Sequence, residues 1–198
     1  MRDITTNEMA FVLSIFKSPE TQYNANSIAK LIGISRMGAL KIAKRLEKEQ
    51  IISSREFGKA KFYKLNLEND YVREYAKFLL KREAEHAHPY VKVWIEDIRK
   101  IKSAAAALLF GSVLKKHKEA RDIDVVLIIE PKKFKKVQKE IEEINEMHTK
   151  RMHPIHMAKG DLAKNLKKGN EAVLEAIKGI VVFGEDIVIK EIIDYLPK

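Results

Sequence analysis

Apolar residues first recur at helical spacing, at Phe11, Val12, Ile15 and Phe16, which predicts a helix over 7–16 with Thr6 as its N-cap and Pro19 beyond its end. A short helix follows over 26–31, then a tight turn at Gly33, then a second helix over 36–49 with Ser35 as N-cap. In this second helix Ala39, Ile42, Ala43 and Leu46 form one stripe, while Arg36, Lys41, Lys44, Arg45 and Lys48 occupy the opposite face. Residues 51–55 and 61–65 then read as two strands, with Phe57-Gly58-Lys59-Ala60 as the hairpin turn.

Between 66 and 102 the pattern is helical but interrupted. Val72, Tyr75, Phe78 and Leu79 share a stripe of a helix over 70–85, and Tyr90, Val91, Trp94, Ile95 and Ile98 share a stripe of the next. His86-Ala87-His88-Pro89 separates them, with Pro89 suited to the first turn of the second helix. His86 and His88 read either as a metal pair or, with more weight, as a solvated helix break. From Ala104 the periodicity changes. The run 104–110 is continuously apolar and ends in Gly111-Ser112, which favours a strand entering a turn although alanine runs also suit helices. A short helix over 113–118, a strand over 123–129 and a lysine-rich helix over 132–148 come next. A strand over 151–158, a helix over 161–178, a strand over 180–183 and a helix over 185–196 complete the pattern. Strands alternating with helices make an α/β layer.

The expected architecture is therefore two-domain, α+β with α/β character. A winged helix over 1–66 and a helical connector over 67–102 precede a mixed sheet with flanking helices over 103–198. With 198 residues, 45% of them hydrophobic and 33% charged, the chain can bury a core. There is no cysteine, which removes disulfides and thiolate metal sites. No apolar run is long enough to span a membrane, and Met1-Arg2-Asp3-Ile4-Thr5-Thr6 lacks a signal-peptide core, so the expectation is a cytoplasmic protein with no membrane partner. The net charge is +10, and the stretch 26–65 alone holds ten Lys or Arg against three Glu. A polyanionic partner is one reading of that excess, and a generally basic, soluble surface is the other.

The order helix, helix-turn-helix, basic hairpin resembles winged-helix transcription factors of the MarR and ArsR type. The resemblance is carried by Ile28-Ala29, Ile32-Gly33-Ile34-Ser35-Arg36, Leu46-Glu47-Lys48-Glu49, Ile51-Ile52, Tyr63 and Leu65. It implies transcription regulation, double-stranded DNA as partner and a homodimer. In that picture Ser35, Arg36 and Lys41, with Gly38 and Leu40, lie on the face that enters the major groove. Lys44, Arg45, Lys59 and Lys61 meet phosphates. Winged helices also serve as protein–protein or dimerisation modules, which is the competing reading.

Asp122 and Asp124 stand one residue apart at the start of an apolar strand, so they share a face. Two like charges on one face repel unless a cation joins them. Gly111-Ser112, nine residues, then Asp122-Ile123-Asp124 resembles the signature of the DNA polymerase β nucleotidyltransferase superfamily, and within it the minimal nucleotidyltransferases. The resemblance implies transfer of a nucleoside monophosphate from an NTP to a hydroxyl. Asp122 and Asp124 would then be catalytic and hold Mg²⁺ (or Mn²⁺), while Gly111, Ser112, Lys115 and Arg121 bind the nucleotide. Lys116 and Lys118 could add positive charge. The family's third carboxylate falls in Met152-His153-Pro154-Ile155-His156-Met157-Ala158, which has none. His156 is expected in its place as a third catalytic residue, with His153 facing the other side of the strand. Three roles stay open: an active nucleotidyltransferase, a DNA-binding regulator whose transferase-like domain only binds nucleotide, and a structural module with both motifs idle.

Overall fold

The computed structural model describes residues 4–197. Met1–Asp3, and with them part of the N-terminal stretch read above, lie outside the described residues, as does Lys198. The chain divides into two compact units, Met1–Leu79 and Leu80–Lys198. Helix α4 (Asp70–Glu85) runs across the division.

The first unit begins with α1 (Thr6–Lys17), capped one residue earlier than the spacing predicts: the Thr5 side chain accepts from the Glu8 amide. Next comes β1 (Tyr23–Asn24), a two-residue strand too short to leave a periodic signal. Helix α2 (Ala25–Ile32) starts in a capping box between Asn24 and Ser27 and ends at Gly33, where φ is +71°. Helix α3 (Arg36–Lys48) is capped by Ser35, whose hydroxyl accepts from the Gly38 amide at 3.0 Å. The hairpin β2 (Ile52–Phe57) and β3 (Ala60–Leu65) is antiparallel, and its turn is tighter than expected, with only Gly58-Lys59 between the strands. Strand β1 adds to β3, giving the order β1-β3-β2. Phe11, Val12, Phe16, Ile28, Ala39, Ala43 and Leu46 form the core, and Phe11 meets Tyr63 of β3 at a ring separation of 5.8 Å. This is a helix-turn-helix followed by a two-stranded wing.

In the second unit, α5 (Pro89–Ile98) starts where Pro89 predicts, with His88 as its cap. The sheet consists of β4 (Ala106–Phe110), β5 (Ile123–Ile128), β6 (Met152–Met157) and β7 (Ile180–Phe183), in the order β6-β5-β4-β7. It is mixed: β4 runs antiparallel to β5 and β7, and β5 runs parallel to β6. Pro154 sits in β6, an edge strand, where a missing amide costs no ladder bond. Helix α6 (Val113–Lys116) is a single turn that passes into a 3₁₀ turn at His117–Glu119. Helix α7 (Phe134–Glu146) connects β5 to β6.

The helix predicted over 161–178 is two, α8 (Asp161–Lys167) and α9 (Glu171–Ile177). Gly169 adopts φ +67° and Asn170 caps the second, so the chain turns where the apolar spacing alone continues. Helix α10 (Glu185–Tyr195) ends the described chain. One sheet face, with Ala107, Leu109, Ile123, Val125 and Leu127, packs on Trp94 and Ile98 of α5 and Val137, Ile141 and Ile144 of α7. Helices α9 and α10 pack against β4. Among the described residues, no helix is long and apolar enough to cross a membrane.

Candidate metal centre and nucleic-acid interface

Asp122 precedes β5 and Asp124 is its second residue, so the alternation of the strand sends both carboxylates to one face. Phe110 is the partner of Asp124 on β4, which brings the turn after β4 beside that carboxylate. Gly111 occupies the turn with φ +79°. A Cβ there would sit 2.1 Å from Asp124 Oδ2, so only glycine allows the backbone to lie against the acid. Gly111 and Asp124 are therefore brought together. Ser112 follows at the start of α6, and its side chain makes no cap bond there.

On the other side of β5, His153 is the parallel partner of Asp124, and its Nδ1 lies 3.4 Å from Asp122 Oδ2. Asp122, Asp124 and His153 can each offer one ligand atom within 4.8 Å of the others. His156 does not belong to this group. It pairs in register with Leu127, three positions along β6, and so faces the opposite side of the sheet. There it meets the Phe134 ring edge-on at 5.0 Å, and its Nε2 is buried without a partner. Burial holds its basicity below the ordinary value for an imidazole. The expectation that His156 stands beside the acids and His153 faces away is thus reversed. A register shift by an odd number of residues exchanges the faces, and sequence spacing does not fix the register of a parallel pair.

Electrostatics at the acids are those of a site short of positive charge. The Asp124 carboxyl is raised above its ordinary range by burial and then by Asp122, with His153 opposing. The family resemblance implies Mg²⁺ here. Two carboxylates suit that ion, but the third donor in reach is an imidazole, a poor Mg²⁺ ligand that brings no negative charge. With the imidazole counted, the donor set suits Mg²⁺ less well than an all-oxygen one.

A cavity of about 490 Å³ adjoins the turn, lined by Gly111, Ser112, Leu114, Lys115, Lys116, Glu175, Lys178 and Gly179. Lys115 and Lys116 are exposed on it. Lys178 is paired with Glu175 at 3.3 Å. Gly179 makes the close approach of this segment to β4 feasible, since a Cβ would lie 2.3 Å from the Leu109 carbonyl oxygen. Glu175, Lys178 and Gly179 were missed by sequence reasoning, because only the turn between α9 and β7 brings them to the cavity. Of the expected nucleotide-binding residues, Arg121 is exposed but does not line this space. The His86–His88 pair is also not formed as a ligand pair: His88 Nδ1 accepts from the Tyr90 amide, and its ring stacks on His117 at 3.8 Å.

In the first unit, Arg36, Lys41 and Lys44 are exposed along α3 and Lys59 at the tip of the wing. Ser35 is exposed with its hydroxyl committed to the helix cap. Lys61 is exposed and pairs across the hairpin with Glu56 at 3.4 Å. Arg45 departs from expectation. Its guanidinium turns inward to an ion pair with Glu8 of α1, a carboxylate only 2% exposed, and so ties α3 to α1 rather than facing outward. The i, i+4 relation that sets Arg45 beside Lys41 on a helical wheel gives no hint of a buried acid on another helix. Phe57 is 51% exposed at the wing tip and edge-on to Phe62, an apolar surface that the charge pattern did not single out. Met37 on α3 is likewise exposed, at 63%.

No protein-family model matches the chain, and no curated protein matches it. Two solved structures of the adhesin competence repressor AdcR from Streptococcus pyogenes are similar in part. The C-terminally His-tagged form aligns with a TM-score of 0.37 and 14% identity over 50% of this chain and 68% of that one. The other aligns with a TM-score of 0.37 and 12% identity over 73% and 80%. These likenesses are too distant to assign a family. Nothing in them supports the nucleotidyltransferase resemblance.

Proposed function

We propose that the chain is a DNA-binding regulator whose second unit binds a metal-associated nucleoside triphosphate. The observation that carries the DNA reading is the exposed cationic surface of Arg36, Lys41 and Lys44 on α3 with Lys59 on the wing. A helix of this kind fits the major groove, and lysines that neutralise phosphates release counterions. Arg36 and Met37, on the first turn of α3, are the side chains assigned to base edges. Lys41, Lys44 and Lys59 are assigned to phosphates. The proposal includes a homodimer, which two half-sites on a duplex call for. Sedimentation velocity tests that part.

For the second unit, the supporting observation is the approach of Gly111 to Asp124 beside a cavity that carries Lys115 and Lys116. In this reading the turn's amides and the Ser112 hydroxyl hydrogen-bond phosphate oxygens, and the two lysines balance their charge. A triphosphate brings its own cation, which Asp122 and Asp124 can share.

Nucleotidyl transfer is the second reading. It is favoured by the close approach of Gly111 to Asp124, and it is weakened because the third donor within reach of the acids, His153, is an imidazole. A gel shift at two salt concentrations tests the DNA assignment: affinity indifferent to salt would overturn it. Incubation with α-labelled NTPs and Mn²⁺ separates the two readings of the second unit. Saturable binding without transfer of label supports the regulator, and label lost in an Asp122→Ala/Asp124→Ala variant supports catalysis.

A further inference from the structure

We infer that Asp122, Asp124 and His153 form a mixed carboxylate–imidazole site selective for a first-row transition-metal ion over Mg²⁺. The inference deepens the metal–nucleotide reading of the same site and rests on that reading only for its location.

Three observations carry it. His153 is the in-register neighbour of Asp124, so the strand pairing itself sets the ring on the face of the acids. Its Nδ1 already lies 3.4 Å from Asp122 Oδ2, and all three potential ligand atoms fall within 4.8 Å. Bonds of about 2.1 Å to one ion place neighbouring ligand atoms roughly 3 to 3.4 Å apart, so a modest rotation closes the set. The His153 ring is 61% exposed and Asp122 38%, which leaves both able to make that rotation, while Asp124 lies against the Gly111 backbone. The remaining coordination positions open outward, where phosphate oxygens or water can enter.

Donor chemistry then selects the ion. Mg²⁺ demands hard oxygen ligands in a near-octahedral shell and exchanges its waters reluctantly. Imidazole suits Mn²⁺, Co²⁺ and Zn²⁺ increasingly well along the divalent series. Two carboxylates alone leave Mg²⁺ competitive. Replacing a third carboxylate by imidazole removes one negative charge and one hard donor, and both changes act against Mg²⁺. The nitrogen is what distinguishes this site from an all-oxygen one.

The metal-stripped 198-residue chain, without nucleotide, provides the test. Mn²⁺ binding is followed by loss of the free-ion EPR signal, with Mg²⁺ and Zn²⁺ as competitors, and the bound ion is examined by pulsed EPR for coupling to ¹⁴N. The wild type is expected to bind one Mn²⁺ with ¹⁴N coupling and to resist a hundredfold excess of Mg²⁺. In His153→Asp the nitrogen coupling disappears, and the Mn²⁺ over Mg²⁺ preference falls at least tenfold. Asp124→Asn lowers Mn²⁺ affinity while His156→Ala does not, which guards against binding elsewhere. Mn²⁺ bound without nitrogen coupling, or a preference unchanged in His153→Asp, overturns the inference, as does the absence of any Mn²⁺ binding. Nucleotide affinity is measured separately with a fluorescent NTP. Loss of nucleotide binding with the nitrogen-coupled ion retained would end the nucleotide reading and leave this one standing.

Discussion

Replacing Gly111 by alanine isolates the feature on which the second unit depends. Two effects add at this position. A residue with a Cβ held at φ +79° is strained by about 1–2 kcal/mol relative to glycine. The new Cβ also meets Asp124 Oδ2 at 2.1 Å, whereas ordinary contact begins near 3.4 Å, so the carboxylate must retreat by about 1.3 Å. A metal ligand displaced that far loses its alignment, and loss of ligand orientation typically costs about 10- to 100-fold in affinity. Gly169→Ala supplies the control, because Gly169 has φ +67° but nothing within 4 Å of the position of a Cβ. Denaturant unfolding should show a destabilisation of about 1–2 kcal/mol in Gly169→Ala, from backbone strain alone, and a larger one in Gly111→Ala, where the contact with Asp124 adds to it. Mn²⁺ titration followed by EPR should show a loss of tenfold or more in Gly111→Ala and none in Gly169→Ala. Equal Mn²⁺ affinity in the two variants would refute the reasoning, since the contact with Asp124 would then have no bearing on the site.

Other perturbations follow from the same geometry. Arg45→Met leaves the buried Glu8 carboxylate without its cation and should destabilise the first unit by about 3 kcal/mol in thermal or denaturant unfolding. Adding Glu8→Gln should recover most of that loss, and a single Arg45→Met variant as stable as wild type would deny the ion pair. Lys41→Ala and Lys44→Ala should leave the melting temperature unchanged while each lowers the slope of log affinity for DNA against log salt by about 1. In the second unit, burial alone would raise the Asp97 carboxyl, but hydrogen bonds from Lys100 and His148 outweigh it and hold it below the ordinary 3.8. A depressed carboxyl stabilises above its unfolded value and loses that contribution as pH falls through its folded value. Asp97→Asn should therefore lower stability at pH 7 and flatten the acid limb below about pH 4. Asp124 is shifted the other way, so its ionised form is disfavoured in the metal-free fold. Asp124→Asn should raise the melting temperature of the metal-free protein at neutral pH while lowering its Mn²⁺ affinity.

Much of the fold was legible because its signals are local. Ser35 and Pro89 mark helix starts through one hydroxyl and one fixed φ, and both stand where the sequence sets them. Gly33 and the Gly58-Lys59 hairpin turn are equally local. Strand β1 was not legible, because two residues have no period and the strand exists only by pairing with β3. The break at Gly169-Asn170 was obscured by an apolar spacing that continues across it.

The candidate site divides along the same line. Asp122, Asp124 and Gly111 were readable from alternation along one strand and one tight turn. His153 was not, because its place depends on the register between β5 and β6, which no short-range pattern encodes. The inward turn of Arg45 is likewise a tertiary fact, set by a buried acid on α1.

Equilibrium binding of a fluorescent NTP analogue in the presence of Mn²⁺ tests the central claim most directly, with wild type and Asp122→Asn/Asp124→Asn compared alongside a DNA gel shift. Saturable binding in the wild type, absent from the double variant while its DNA affinity stays the same, is the predicted result. A wild type that binds no nucleotide, or a double variant that binds it as well as the wild type does, would contradict the account.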